Sequence, residues 1–377
     1  MAEYRYLFYD LLTNTPITEL PLNGVSFTQQ LNSAGTLSAT LLITDASEQA
    51  LSIALGTAPN RTALYVERSD LVNGVGRELV WGGMLWSREY SSTNQSITIN
   101  AREFESYLEK VFINTNYMGL GRTPPAVVRY TSIDMFQAVQ VLLNVTQGLP
   151  NTDIGIRVGG GTSGVLVSPT YATADNKSIY QGITDLSQGN NGFDFNVDVY
   201  YDGSGVPQKV MNLGYPKIGY RYSATDPNAP TLQLPGNILE YSYFEDGSLM
   251  ATDVYTIGGG TATGSVSTTT TGYPGYALSL SYSDITDSNL LSDIALGRVN
   301  AVKYPPATLK VTQFASNEPT VGKVSPGDDV RVIINDARFP DGLNTVYRVT
   351  ALTVTPNESG GPEQITYSLT DPAVVYL

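Results

Sequence analysis

Short runs in which apolar and polar residues alternate, cut by Gly, Pro and Asx-Gly turns, constrain this chain more than any other feature. After Asn23-Gly24, the residues Leu37, Ala39, Leu41 and Ile43 alternate with Ser38, Thr40 and Leu42. A spacing of two sends one set of side chains to a single sheet face, which predicts a strand with one strongly buried side. Further strands are predicted at 63–68, 77–90 and 96–101. Trp81 and Trp86 stand an odd number of residues apart and so fall on opposite strand faces, with at least one turned away from the innermost core. The region reads as a small barrel or folded sheet, because closure removes exposed strand edges.

At Arg102 the period changes. Phe104, Tyr107, Leu108 and Val111 follow the i, i+3, i+4, i+7 spacing of a short amphipathic helix, and Pro124-Pro125 interrupts the linker after it. A second helix is predicted with Thr131 as its cap, Asp134 at the capping-box position, and Ile133, Phe136, Val139, Leu142 and Leu143 as its apolar surface. It ends before Gly148-Leu149-Pro150. A third starts at Ser178, with Gln181 reaching back to the cap, and buries Ile179, Ile183 and Leu186. Phe193 to Tyr201 then reads as a strand, and Asp202-Gly203 as a hairpin turn.

From Asn237 strands return at 239–244 and 250–257. The Ser/Thr-rich stretch 261–271, which follows Gly258-Gly259-Gly260, reads as a polar loop. Asp287 is placed as the cap of a helix with Leu290, Leu291, Ile294 and Ala295 as its packing stripe. Strands follow at 309–314, 330–334, 346–354 and 364–369, with turns at Asp341-Gly342 and Gly360-Gly361-Pro362. The expected fold class is mainly β with an inserted α/β region. Three segments are expected: 1–105, 106–236 as the mixed insertion, and 237–377 with its short helix, completed by strands from the middle region.

Composition narrows the chemistry. The chain contains no histidine and no cysteine, the side chains that supply most near-neutral acid/base work, soft-metal ligation and thiol nucleophiles. With 21 basic and 35 acidic residues its formal charge is -14, which argues against a broad phosphate-neutralising surface. The start carries Glu3 and Asp10 and lacks a basic stretch before a long apolar run, so no secretory signal is expected. No apolar run approaches the roughly 18 to 20 residues of a membrane helix, so no membrane-spanning segment is expected.

The remaining catalytic candidates are carboxylates. Asp194 and Asp198 share a strand face, but about 13 Å of Cα separation at normal strand rise suits surface or turn roles better than a catalytic pair. Glu103, Glu105 and Glu109 are expected to solvate the first helix. Asp284, Asp287, Asn289 and Asp293 cluster in sequence without the spacing or central glycine of a calcium loop. Gly159-Gly160-Gly161 and Gly258-Gly259-Gly260 lack the lysine and hydroxyl residue of a phosphate loop and are read as strand connections. Ser178 and Ser187 have no histidine to activate them, and Lys177 beside a helix cap is weak support for a Ser/Lys pair. No catalytic, cofactor-binding or metal-binding residue is assigned, no cofactor is expected, and the chain is read as a non-enzyme.

The run from Leu22 to Leu41 resembles the opening of minor tail proteins of long-tailed, noncontractile phages, especially those of actinobacterial hosts. The similarity continues through Val80-Trp81-Gly82-Gly83, the helix after Ala101, Gly192-Phe193-Asp194-Phe195 with Asp202-Gly203, Gly327-Asp328-Asp329-Val330 and Tyr347-Arg348-Val349. Each motif is common alone; their order across nearly the full chain carries the resemblance. It implies the baseplate-hub fold: two tube-type β-barrel domains, 1–105 and 237–377, with 106–236 as a bracing domain packed outside. It further implies a homotrimer at the distal end of a virion tail, joining a sixfold tube to threefold tip proteins. The implied partners are the distal tail or tail-tube protein, the tape measure protein and receptor-binding or tail-fibre proteins, with transient passage of DNA past an acidic wall. Two other classes fit the residues. Trp81, Trp86 and the 25 tyrosines suit a carbohydrate-binding or adhesion module, and a tail-associated wall hydrolase scaffold would need a convergent acidic cleft.

Overall fold

A computed structural model describes residues 2–43, 50–71, 74–113, 127–188, 191–282, 285–357 and 362–371. The N-terminal part runs β1 (Glu3–Asp10), β2 (Pro16–Glu19), β3 (Leu22–Gln30), β4 (Thr36–Leu42), α1 (Ala50–Gly56), β5 (Thr62–Asp70), β6 (Val75–Ser91), β7 (Ser96–Glu103) and α2 (Glu105–Leu108). The middle part follows with β8 (Val127–Arg129), β9 (Ile133–Asp134), α3 (Met135–Gln147), β10 (Ile156–Val158), β11 (Leu166–Val167), β12 (Thr170–Ala172), α4 (Ile179–Ser187), β13 (Asp194–Tyr201) and β14 (Pro207–Gly214). The C-terminal part holds β15 (Thr231–Leu234), β16 (Ile238–Glu245), β17 (Asp253–Gly258), β18 (Thr263–Ser267), β19 (Ala277–Tyr282), α5 (Ser288–Val302), β20 (Ala307–Phe314), β21 (Asp329–Ile334), β22 (Leu343–Thr355) and β23 (Gln364–Thr370).

The chain is mainly β with an α/β insertion, but the expected pair of closed barrels is not what forms. A single 13-stranded sheet takes strands from both ends of the chain, in the order β16-β20-β23-β22-β3-β4-β7-β6-β5-β1-β2, with β21 branching from β22 and β15 from β21. Among the described residues no sheet closes on itself; β2 and β16 end the run. The reason lies at β3. Its free edge is taken by β22, with Ala351 opposite Gln30 and Val354 opposite Phe27, so the N-terminal strands join the C-terminal ones instead of closing on each other. Phe27 and Val354 are both buried in one core, and the Thr28 and Thr353 hydroxyls meet at 2.8 Å across the pair.

The sheet is buried on two sides where the insertion lies over it. On one face, Phe8, Leu64, Val66 and Trp81 join Val332, Val349 and Leu369 in a core shared by both ends of the chain. On the other, Leu7, Ala63, Tyr65 and Phe104 pack against Phe136, Val139, Ile183 and Phe195 of the insertion. The alternation within β5 thus serves two cores at once. Gly82 explains how the insertion comes so close. A Cβ there would lie 2.6 Å from Val199 Cγ1, 3.0 Å from the Phe104 ring and 3.1 Å from that of Tyr65, so β13 docks on bare backbone.

Local expectations meet the structure unevenly. Ser178 and Gln181 form a complete capping box at α4, and α3 ends before Gly148. Its start differs: Asp134, not Thr131, is the N-cap, accepting from the N–H groups of Phe136 and Gln137, while Ile133 belongs to the short strand β9. The helix expected through Val111 is one turn, although Phe104, Leu108 and Val111 are all buried. The stretch expected as a polar loop contains β18, which pairs with β17 and packs against α5. Gly264 permits that contact, since a Cβ there would stand 2.5 Å from the backbone N of Ser292. The turn at Gly360-Gly361 lies outside the described residues. No described helix is long and apolar enough to cross a membrane.

Replacing Gly82 with alanine should destabilise the protein by about 1–3 kcal/mol, the usual cost of overpacking. A denaturant melt reads this directly; an unchanged midpoint would show that β13 does not need the bare backbone.

Candidate functional site

The motifs that lie far apart in sequence meet at one buried polar junction. Asp194, fully buried at the start of β13, forms an ion pair with the Arg348 guanidinium of β22, which is itself 2 % exposed. The second Asp194 oxygen accepts from Asn32 Nδ2 at 3.0 Å, and the backbone N–H of Ile218 donates to Asp194 at 2.9 Å. Asn32, held at a positive φ of 59°, also accepts from the Phe195 N–H at 2.8 Å, so one side chain grips the insertion at two successive residues. Phe193 and Phe195 flank the acid and are fully buried in the opposite core, which anchors its strand.

The Gly-Asp-Asp motif completes this junction. Arg348 Nε donates to the Gly327 carbonyl at 3.3 Å. Arg221 Nη1 donates to the same carbonyl at 2.7 Å and to Asp329 at 3.0 Å. Asp328 accepts from the Tyr220 N–H at 2.7 Å. Gly327 has φ +106°, and a Cβ on it would meet the Ile218 side chain at 2.8 Å, so the turn demands glycine twice over. A second buried ion pair joins the far side of the sheet. Arg68 of β5 binds Glu363 through two nitrogens at 3.0 and 3.1 Å, while the Tyr4 hydroxyl of β1 donates to the same carboxylate. Charges this deeply buried stay only where their partners are held in place.

The remaining candidates are spent on structure. Asp198 is exposed and accepts from Asn196 Nδ2 and Asn212 Nδ2 at 3.0 and 2.6 Å, so it and the ion-paired Asp194 do not form a catalytic pair. Glu109 binds Arg102 at the surface of α2, but Glu103 and Glu105 are buried rather than solvating the helix. Both do backbone work: Glu103 accepts from the Gly35 N–H at 2.6 Å, and Glu105 from the Val197 N–H at 2.5 Å. Burial raises both carboxyls above the ordinary glutamate range, and for Glu103 the neighbouring Glu105 adds to the shift. Lys177 pairs with Asp185, whereas Ser178 is a helix cap and the Ser187 hydroxyl donates to the Thr184 carbonyl. Asp287 caps α5 through the N–H groups of Asn289 and Leu290; Asp284 lies outside the described residues. Among the described residues no cluster of three or more metal-ligating side chains occurs. Gly161, Gly258 and Gly260 serve turns or close packing, with φ +129° at Gly161 and +66° at Gly260. Trp81 is fully buried, and Trp86 donates to Ser106 Oγ at 2.9 Å with Arg102 and Lys110 over its ring, so neither indole is a free sugar platform. Asn32, Arg221 and Arg348 have no chemical signal of their own in sequence; Asn32 and Arg348 fall within the motifs that carry the resemblance, and nothing marks Arg221.

No family model and no curated protein sequence matches the chain. Solved structures do match in shape. The 43 kDa tail protein of prophage MuSo2 from Shewanella oneidensis superposes with a TM-score of 0.60 at 11% identity, covering 99% of this chain and 100% of that one. The tail protein from Neisseria meningitidis MC58 gives 0.57 at 12% identity, with 99% and 98% covered. The lidded Francisella PdpA-VgrG complex gives 0.57 at 9% identity over 98% of this chain and 53% of the matched chain.

Two outcomes test the junction. Arg348→Met should cost about 3–5 kcal/mol by leaving Asp194 buried and unpaired, and adding Asp194→Asn should recover a large part of it, as a double-mutant cycle in urea will show. Glu105 adds a pH dependence. Its folded pKa is raised, so its stabilising contribution is full below the ordinary glutamate value of about 4.3 and is lost as pH rises through the elevated folded value. Glu105→Gln should flatten the fall in stability as pH rises from about 4.5 to about 8, read from urea midpoints. Parallel pH profiles for the two proteins would rule this out. From end to end the chain shares its fold with these two tail proteins.

Proposed function

We propose that this chain is a structural subunit of a phage-type tail apparatus, acting as a hub at the distal end of the tail. The observation that carries the reading is the end-to-end fold likeness to two tail proteins, covered over 98% and 100% of their lengths. The absence of histidine and cysteine agrees with a non-enzymatic role, as does the use of the candidate carboxylates in internal bonds. In this reading the strand-rich segments 1–105 and 237–377 form the part that meets the tube, and 106–236 braces it. Three copies would join a sixfold tube to threefold tip proteins, with the tape measure protein and the tail-fibre or receptor-binding proteins as further neighbours. A formal charge of -14 suits a wall past which DNA moves without being held. The long-tailed, noncontractile class of phage is the form we favour.

The sheet itself supplies a surface for assembly. Strand β16 ends the sheet, pairing only with β20, and exposes Leu239 and Phe244, the latter at 63%. An open edge of this kind, among the described residues, invites a further strand or subunit, and we assign it to the neighbouring copy.

Light scattering should give a mass near three times 40.6 kDa, either for the chain alone or after mixing with its tail-tube neighbour, and Phe244→Glu should shift it toward the monomer. Persistent wild-type monomers under both conditions would sink the proposal.

A further inference from the structure

A cleft of about 520 Å³ lies where three parts of the fold meet: the turn after β3, helix α4 of the insertion, and α5 with β19. Its walls include Ser33, Tyr180, Tyr282, Arg298, Arg348 and Thr370. Neither aspartate nor glutamate lines it, although acidic residues outnumber basic ones by 35 to 21 in the whole chain. The sign of this cleft therefore opposes that of the molecule.

Its polar atoms are also unfinished. Ser33 Oγ, Thr184 Oγ1, Arg298 Nε and Thr370 Oγ1 are buried and have no hydrogen-bond partner among the described residues. Buried donors left unpaired are costly, and four on residues that line one cleft point to a missing acceptor. Arg348 is already neutralised by Asp194, which leaves Arg298 as the positive charge the cleft presents.

We infer that this cleft is a binding site for a small polyhydroxylated molecule carrying an oxyanion, either a phosphate or a carboxylate. The Arg298 guanidinium and the Ser33 and Thr370 hydroxyls are the donors for the oxyanion, in charge-assisted hydrogen bonds. The volume exceeds what a bare ion needs and falls within the range of small-molecule sites. Tyr180 and Tyr282, together with the hydroxyl and amide side chains between them, match a sugar-like body that alternates apolar C–H faces with hydroxyl groups. A ligand seated there would touch the main sheet, the insertion and the α5 unit together, and would hold them in one arrangement. The site does not depend on the hub assignment.

Isothermal titration calorimetry at low ionic strength with glucose 6-phosphate, glucuronate and glucose tests the inference. Saturable binding of at least one anionic sugar is expected, with glucose about tenfold weaker or undetectable because it lacks the charged acceptor. The better of the two anions identifies the oxyanion. Arg298→Gln should weaken that binding by about tenfold, and Thr370→Val by a smaller factor, whereas Arg338→Gln, at an exposed arginine absent from the cleft walls, should leave it unchanged. Thr370→Val supplies the answer if Arg298→Gln does not fold, as judged by circular dichroism. The inference is overturned if neither anion binds saturably, if glucose binds as well as both, or if the folded cleft variants keep wild-type affinity. Loss of this binding in an otherwise intact trimer would leave the tail-hub reading standing.

Discussion

The buried ion pair between Asp194 and Arg348 is the constraint on which the rest of the architecture turns. Each charge would be costly alone in that interior, so the pair exists only if β13, β22 and the turn carrying Asn32 reach their places together. That requirement makes the insertion a fixed part of the molecule rather than an appended domain. It also ties the start of the chain to its end, because Asn32 follows β3 while Arg348 lies on β22, and those two strands are hydrogen-bonded neighbours. The pair of Arg68 and Glu363 repeats the same logic, linking β5 to the loop before β23. Hydrophobic burial supplies most of the stability of such a sheet, but it is indifferent to which of several apolar strands lie side by side. The buried charges are not indifferent, and they select this arrangement.

The open sheet is the second organising fact. A closed barrel would have needed β1 to β7 to satisfy one another, yet β3 gives its edge to β22 and the run ends at β2 and β16. Among the described residues the sheet has free edges at β2, β16 and the branch strand β15, which suits a part that is completed by neighbours. The cleft beside the Asp194 junction has a different character. Its charge opposes that of the chain and its donors lack acceptors, features that suit a ligand better than a packed seam.

Much of the local structure was legible in the residues. The alternation around Leu37 to Ile43, the hairpin at Asp202-Gly203 and the capping box of Ser178 and Gln181 are short-range patterns, and short-range physics decides them. Where two local solutions compete, the local pattern does not decide between them. Asp134 took the cap expected of Thr131 because its own carboxylate reaches two helix N–H groups and also the Ser163 and Gly164 amides, partners about thirty residues away in sequence that no local pattern reveals. Glu103 and Glu105 looked like solvated helix acids because sequence shows charge but not depth. The insertion covers them, and they instead hold the Gly35 and Val197 amides. The motifs around Asp194, Gly327 and Arg348 are each common alone, and their chemistry is visible only once the fold brings Asp194 and Arg348 together across 154 residues.

By itself, then, the sequence determined that this chain is built from strands with an α/β insertion, and that it lacks the side chains of ordinary near-neutral catalysis. Those conclusions rest on periodicity and on residue chemistry, which belong to single segments. Only the tertiary structure decided that the two strand-rich ends share one open sheet, that the insertion is locked to it through Asp194, and that a cleft poor in acids but rich in donors lies where they meet. Strand pairing and buried electrostatics are properties of residues brought together from distant positions, and alternation along a strand specifies which face is buried without naming the neighbour that buries it.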